Sequence, residues 1–211
     1  VVSWDIGPSC ELVKIEGGQI QTESIGGVIV NGEDELIQSK KYQFSENLSN
    51  QEIYISTNGK DYTKICIDDK NSKTLFFSEK ELAKEIQVII EDICYTGTIS
   101  EQDEKGEIVL DMNHPVLPMI TEKKPKGECT CKDGDNAVLG IEAKPSIENH
   151  KLSYIWYFKT AEQNIFRKIN CEQKELNIQN FSFEQAGVYK VVVKEENNLT
   201  CETEFVVNYN D

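Results

Sequence analysis

A chain of 211 residues with 22 Lys and Arg against 37 Asp and Glu carries a formal net charge of -15, which excludes polyphosphate and anionic-lipid surfaces as natural partners. The hydrophobic fraction of 38% suits two thin sandwiches better than one thick α/β core, and no run of about eighteen apolar residues is present to span a bilayer. Seven cysteines, three in the first half (Cys10, Cys66, Cys94) and four in the second (Cys129, Cys131, Cys171, Cys201), point to an oxidising compartment and at least one disulfide.

Along the chain the apolar runs are short, β-branched and bounded by turn residues, the pattern of strands. Val28-Ile29-Val30 stops at Asn31-Gly32. Ile53-Tyr54-Ile55 stops at Asn58-Gly59, a dipeptide that accepts positive φ at both centre positions of a hairpin turn, and Tyr62 to Ile67 returns. Ser78 to Lys84 begins with an N-cap serine followed by good helix formers and predicts a short helical turn between two strands. Ile86 to Asp92 reads as a strand, Glu101 to Glu107 as a solvated hairpin tip, and Ile108 to Met112 as the last strand of the first half. Asn113 to Lys126 holds three of the five prolines (Pro115, Pro118, Pro125) and predicts a short, semi-rigid linker. Strands follow at Ala137 to Ala143, Leu152 to Lys159, Leu176 to Ile178, Val188 to Val193 and Glu204 to Val207.

The chain repeats itself at an offset of about one hundred residues, the length of one small domain. Ile53 to Thr57 with Tyr62 to Cys66 returns as Trp156 to Thr160 with Phe166 to Cys171, and Ile86 to Asp92 ahead of Cys94 returns as Tyr189 to Glu195 ahead of Cys201. In the second copy Lys132 to Leu139 leads into a strand, Trp156 is flanked by Ile155 and Tyr157, Leu176-Asn177-Ile178 follows, and Gln185-Ala186-Gly187-Val188-Tyr189 opens another strand. This combination resembles an immunoglobulin-like domain of the intermediate type, with Trp156 as the core tryptophan and Tyr189 as the corner tyrosine. Where that family places its inter-sheet disulfide, this chain has Ile141 and Val191. The ending, through Asn197-Asn198-Leu199-Thr200-Cys201, is similar to the immunoglobulin-like repeats of bacterial surface adhesins. The first copy is a weaker match, with Ile53 in place of the tryptophan and Ile86 in place of the tyrosine.

The resemblance implies an all-β chain of two tandem immunoglobulin-like β-sandwiches, 1-118 and a second module 119-211, joined by a short proline-rich linker. The first module is the divergent one. With no catalytic set in view, it implies a non-enzymatic role outside the cell or at a cell surface, in adhesion, spacing or filament assembly. The partner would be a protein, a glycan or neighbouring modules of a longer chain. Two alternatives are a carbohydrate-binding accessory module of a secreted enzyme and a virion surface or fibre domain.

Several residues invite chemistry. Tyr54 and either Tyr157 or Phe158 lie on the outer side of their strands if Trp156 points inward, where aromatic rings stack on sugars or anchor a protein. Asp133-Gly134-Asp135-Asn136 is a tight turn first and, by its carboxylates, a calcium site at the domain junction second; no other cofactor is expected. Cys66 with Cys94 and Cys171 with Cys201 is one disulfide scheme; the other joins Cys10 to Cys94 and Cys129 or Cys131 to Cys201. Cys129 and Cys131 are too close in sequence for a tetrahedral zinc site. His114 and His150 read as solvated loop residues, and the paired carboxylates Asp68-Asp69 as solvated edges.

Overall fold

The computed structural model describes residues 12–16, 19–23, 39–57, 59–77, 85–102 and 105–210. The strand read at Val28 to Val30, the helical turn read at Ser78 to Lys84, and Cys10 lie outside these residues. The chain divides into two compact units, Val1–Val116 and Leu117–Asp211. Residues 111–118 form no strand, whereas Met119 to Lys124, which the sequence groups with the linker, form a strand of the second unit. Pro125 sits just past that strand's end, where its missing N–H costs no ladder bond.

The first unit contains β1 (Leu12–Glu16), β2 (Gln19–Glu23), β3 (Ser39–Phe44), β4 (Glu52–Ser56), β5 (Thr63–Cys66), β6 (Ser72–Phe77), β7 (Glu85–Ile90), β8 (Ile93–Gln102) and β9 (Lys105–Leu110). They form one sheet in the order β2-β1-β6-β3-β9-β8-β7-β4-β5. β2 returns against β4 and β5 at the other end, so the sheet curls around its core. Alternation sorts the side chains: Ile53 and Ile55 on β4 and Ile86, Val88 and Ile90 on β7 are buried, while Tyr54 faces out. β9 lies antiparallel to β8 and parallel to β3, with Gly106 opposite Tyr42. A Cβ at Gly106 would stand 2.0 Å from the Tyr42 ring, so only glycine lets that ring lie fully buried over β9.

Asp68 is a structural residue here, not part of a solvated edge. Its carboxylate accepts the Ser72 N–H at 2.7 Å and the Ser72 hydroxyl, and Lys41 stands 3.2 Å away. Burial pushes the carboxyl up, but the bonds from Ser72 and Lys41 outweigh it and hold the group below the usual carboxylate range.

The second unit contains β10 (Met119–Lys124), β11 (Cys129–Cys131), β12 (Ala137–Lys144), β13 (Leu152–Thr160), β14 (Arg167–Lys168), β15 (Glu175–Ile178), a 3-10 turn (Phe183–Gln185), β16 (Gly187–Glu195) and β17 (Thr200–Tyr209). One sheet runs β10-β12-β15 and the other β11-β17-β16-β13-β14. The chain therefore changes sheets between β10 and β11, across Pro125. Between the sheets Trp156 is fully buried, stacks on Phe205 at 5.7 Å and donates its indole N–H to the Gln173 carbonyl at 2.8 Å. Ile141 and Val191 are buried in the same cluster, filling with apolar atoms the place a disulfide would bridge. Tyr189 donates its hydroxyl to the Gln185 carbonyl at 2.8 Å, and the Gln185 side chain accepts the Ser182 N–H. This unit is an immunoglobulin-like β-sandwich with its tyrosine corner intact.

The internal repeat is a repeat of pairings. β5-β4-β7-β8 in the first unit has the neighbours of β14-β13-β16-β17 in the second, all antiparallel, and the β3–β6 pair matches β12–β15. The copies part at the free edge of the fourth strand. In the second unit that edge takes the short parallel strand β11; in the first it takes β9, which links the two halves into one continuous sheet.

Burial, then the nearby Cys131, push the Tyr189 phenol up from 10.0 to about 12, so it stays a donor throughout the neutral range. Its folded value is raised, so its contribution is complete below the unfolded value and is lost as pH rises through the folded one. Tyr189→Phe is expected to cost about 1 kcal/mol at neutral pH in denaturant unfolding. The same variant is expected to lose less stability than the parent between pH 10 and 12.

Candidate functional site

The outer face of the five-stranded sheet is built by alternation from the buried Trp156. With Trp156 inward, Ile155, Tyr157 and Lys159 of β13 face outward; the register places Val192, Lys190 and Val188 of β16 beside them, and Glu202, Glu204 and Val206 of β17 beyond. Phe166, just before β14, joins this face. The Lys190 ammonium lies 4.4 Å from the Phe166 ring centroid and 5.6 Å from that of Tyr157, and Lys159 lies 4.8 Å from Phe166. Lys190 also stands 3.9 Å from the Glu202 carboxylate. Ile165, on the turn leading into β14, is 77% exposed. On a chain of net charge -15 this is a local concentration of lysines around aromatic rings, with Lys168 of β14 opposite Tyr157 in the ladder and Arg167 opposite the inward Phe158.

The structure separates the three aromatics named from sequence. Tyr157 faces outward as expected. Phe158 does not: it lies on the core side, 4.6 Å from the Tyr189 ring, because strand alternation gives it the same side as Trp156. Tyr54 is 41% exposed on β4 of the first unit, opposite Lys64, whose ammonium pairs with Glu52 at 2.7 Å. Sequence reasoning passed over Lys159, Phe166 and Lys190. The alternation that exposes Tyr157 also exposes Lys159, but Phe166 and Lys190 join them only through strand pairing.

Asp133 and Asp135 form a turn. The Asp135 carboxylate accepts the Lys132 N–H at 3.0 Å, Gly134 takes φ +83°, and the Gly134 and Phe181 amides bond across to the facing loop. Among the described residues no three His, Cys, Asp or Glu side chains converge.

No disulfide joins the described cysteines. Cys66 on β5 and Cys94 on β8 are three strand spacings apart in the sheet order, about 14 Å, twice a disulfide's reach. Cys171, just past β14, and Cys201 on β17 are held apart in the same way. Cys129 pairs with Val207 in the ladder, about 20 Å along β17 from Cys201, which rules out that union as well.

His150 is not a solvated loop residue. Its side chain is 11% exposed, and Nδ1 lies 2.9 Å from Oε1 of Glu195, whose side chain is wholly buried. The same carboxylate accepts the Ser146 N–H at 3.1 Å, the Ser146 hydroxyl at 2.7 Å and the Ile147 N–H at 3.2 Å. Glu195 thereby ends β16 with its charge spread over four donors, pinning residues 146–150. His114, by contrast, is exposed and paired with Asp111.

No family model matches the chain, and no curated protein matches it. Solved structures similar to it include the DIP-gamma Ig1+Ig2 pair, at 10% identity over 82% of this chain and 95% of that one, with a TM-score of 0.38. They also include the N-terminal four Ig domains of Dscam1 isoform 6.9 (15%, 90% and 48%, TM-score 0.37). A third is the three N-terminal domains of the bacteriophage RB49 Highly Immunogenic Outer Capsid protein, Hoc (15%, 82% and 58%, TM-score 0.35). The chain spans about half the length of the Dscam1 fragment. The immunoglobulin-like assignment itself rests on strand order, the Trp156 core and the Tyr189 corner.

Glu195→Ala would leave buried donors unpaired and is expected to destabilise the second unit by about 3 kcal/mol. His150→Ala is expected to cost about 1 kcal/mol, and the double variant to cost less than the sum. Denaturant melts of the four proteins check this.

Proposed function

We propose that this chain is a pair of non-enzymatic immunoglobulin-like modules acting outside the cell or at a surface, and that the outer face of β13, β14 and β16 makes contact with an acidic partner protein. The supporting observation is the pair of lysine ammoniums held over Phe166 beside Tyr157. Cation–aromatic pairing fixes two otherwise mobile chains, so less rotamer entropy is lost when carboxylates dock on them. Aromatic anchors among fixed cations are the composition of binding hot spots. The same packing favours protein over glycan: two ammoniums within 5 Å of the Phe166 ring crowd the surface on which a sugar would stack.

A non-enzymatic role agrees with the fate of the histidines. His150 is bound into the Glu195 network and His114 is a surface partner of Asp111. A groove of about 20 Å³ lined by Glu122, Lys124, Gly140, Ile141, Glu142 and Glu175 is far smaller than ordinary small-molecule sites, which run from about 300 Å³.

Partner proteins captured on the immobilised chain would be measured against variants. Lys190→Glu and Phe166→Ala are each expected to weaken binding about tenfold or more, with the Lys190 effect greatest at low salt. Val138→Ser, exposed on the opposite sheet, is expected to leave binding unchanged. Glycan-array binding abolished by Tyr157→Ala would favour the carbohydrate-binding accessory module instead.

A further inference from the structure

The cysteines at either end of β11 stand apart from this contact face. Cys129 and Cys131 flank Thr130 in an extended strand, so both side chains fall on one side, against the core, with Sγ atoms 3.6 Å apart. No intervening group separates them. Cys129 is half-buried and Cys131 buried. β11 is a three-residue strand at the sheet edge, paired only with the end of β17, where the Asn210 N–H donates to the Cys131 carbonyl at 2.8 Å. Short edge strands open locally at low cost, which gives a small reagent access to the first thiol.

We propose that Cys129 and Cys131 form a reversible disulfide with each other by exchange with a small disulfide of the glutathione class, and that closing this ring loosens β11 from β17. The Cys129 thiolate attacks one sulfur of glutathione disulfide and expels a glutathione thiolate. Cys131 then attacks the Cys129 sulfur of the mixed disulfide, its proton passing to the second departing glutathione. Two protein thiols are oxidised, and one glutathione disulfide becomes two glutathione thiols. Cys129, the more exposed of the two, is the entry point, and the buried Cys131, whose thiol burial and then Cys129 itself push up, is the resolving partner. The strain follows from length. Residues i and i+2 of a strand are about 6.6 Å apart at Cα, near the outer limit for a disulfide, and their side-by-side Cβ atoms keep about that spacing, whereas a disulfide draws its Cβ atoms to about 3.8 Å. Closing the ring must therefore pucker the backbone at Thr130, and that shifts the carbonyl on which Asn210 depends.

The test uses the full chain. It is incubated with glutathione disulfide, alkylated without reduction and digested with trypsin, which cuts after Lys126 and Lys132 and isolates both cysteines in residues 127–132. The expected product is this peptide lighter by two hydrogens and unalkylated, restored to a doubly alkylated form by prior reduction. Cys131→Ser is expected to hold the glutathione adduct on Cys129. Amide exchange at Asn210 is expected to quicken on oxidation. A wild-type adduct that never resolves, a peptide that stays fully alkylated, or a link from either cysteine to Cys201 would overturn the ring. Unchanged protection at Asn210 would overturn the loosening of β11.

Discussion

The second unit is organised around one buried indole. Trp156 lies between the two sheets, stacked on Phe205 and tied by its N–H to the Gln173 carbonyl. An aromatic side chain of this size contributes several kcal/mol of apolar burial, but its lone polar atom must find a partner when it is buried. The Gln173 carbonyl is that partner, so the position of Trp156 fixes the segment that leads into β15 as well as the register of β13. Since neighbours on a strand face opposite sides, fixing Trp156 also fixes which residues point out. Tyr157 and Lys159 reach the surface because Trp156 does not.

Polar groups close the two ends of the same sandwich. At one end the Tyr189 hydroxyl and the Gln185 side chain bond the turn that feeds β16. At the other, Glu195 terminates β16 and gathers Ser146, Ile147 and His150. One strand thus carries a corner at its start, apolar residues through its middle and a buried carboxylate at its end. The lysine between Tyr189 and Val191 points the other way and contributes to the surface. Scaffold and contact face are written on alternate residues of one strand.

The repeated pairing scheme was legible because it depends on local signals: β-branched runs, turn residues, the spacing of Trp156 to Tyr189 and of Ile53 to Ile86. Phe158 was an outward candidate although Trp156, two positions earlier, already pointed inward; a strict two-residue period places both on the core side. His150 misled because its partner is 45 residues away; no local pattern announces that a charged residue ending a strand will turn back into the core. The pairings of Cys66 with Cys94 and Cys171 with Cys201 failed for a related reason. Equivalent positions in two copies reveal where each thiol lies in its own copy but say nothing of the strands that separate the thiols. β9 was expected as a strand, yet its parallel pairing with β3, and with it the continuous sheet of the first unit, is a long-range choice that composition does not encode.

Native-state amide exchange across β13 and β16 tests most directly whether the Trp156 core governs the second unit. If it does, the amides of Ile155 and Val192, the hydrogen-bonded pair next to Trp156 in the β13–β16 ladder, exchange only when the whole unit unfolds, with an opening free energy equal to that from denaturant unfolding. Exchange of these amides by a cheaper local opening, while β12 and β15 stay protected, would contradict it.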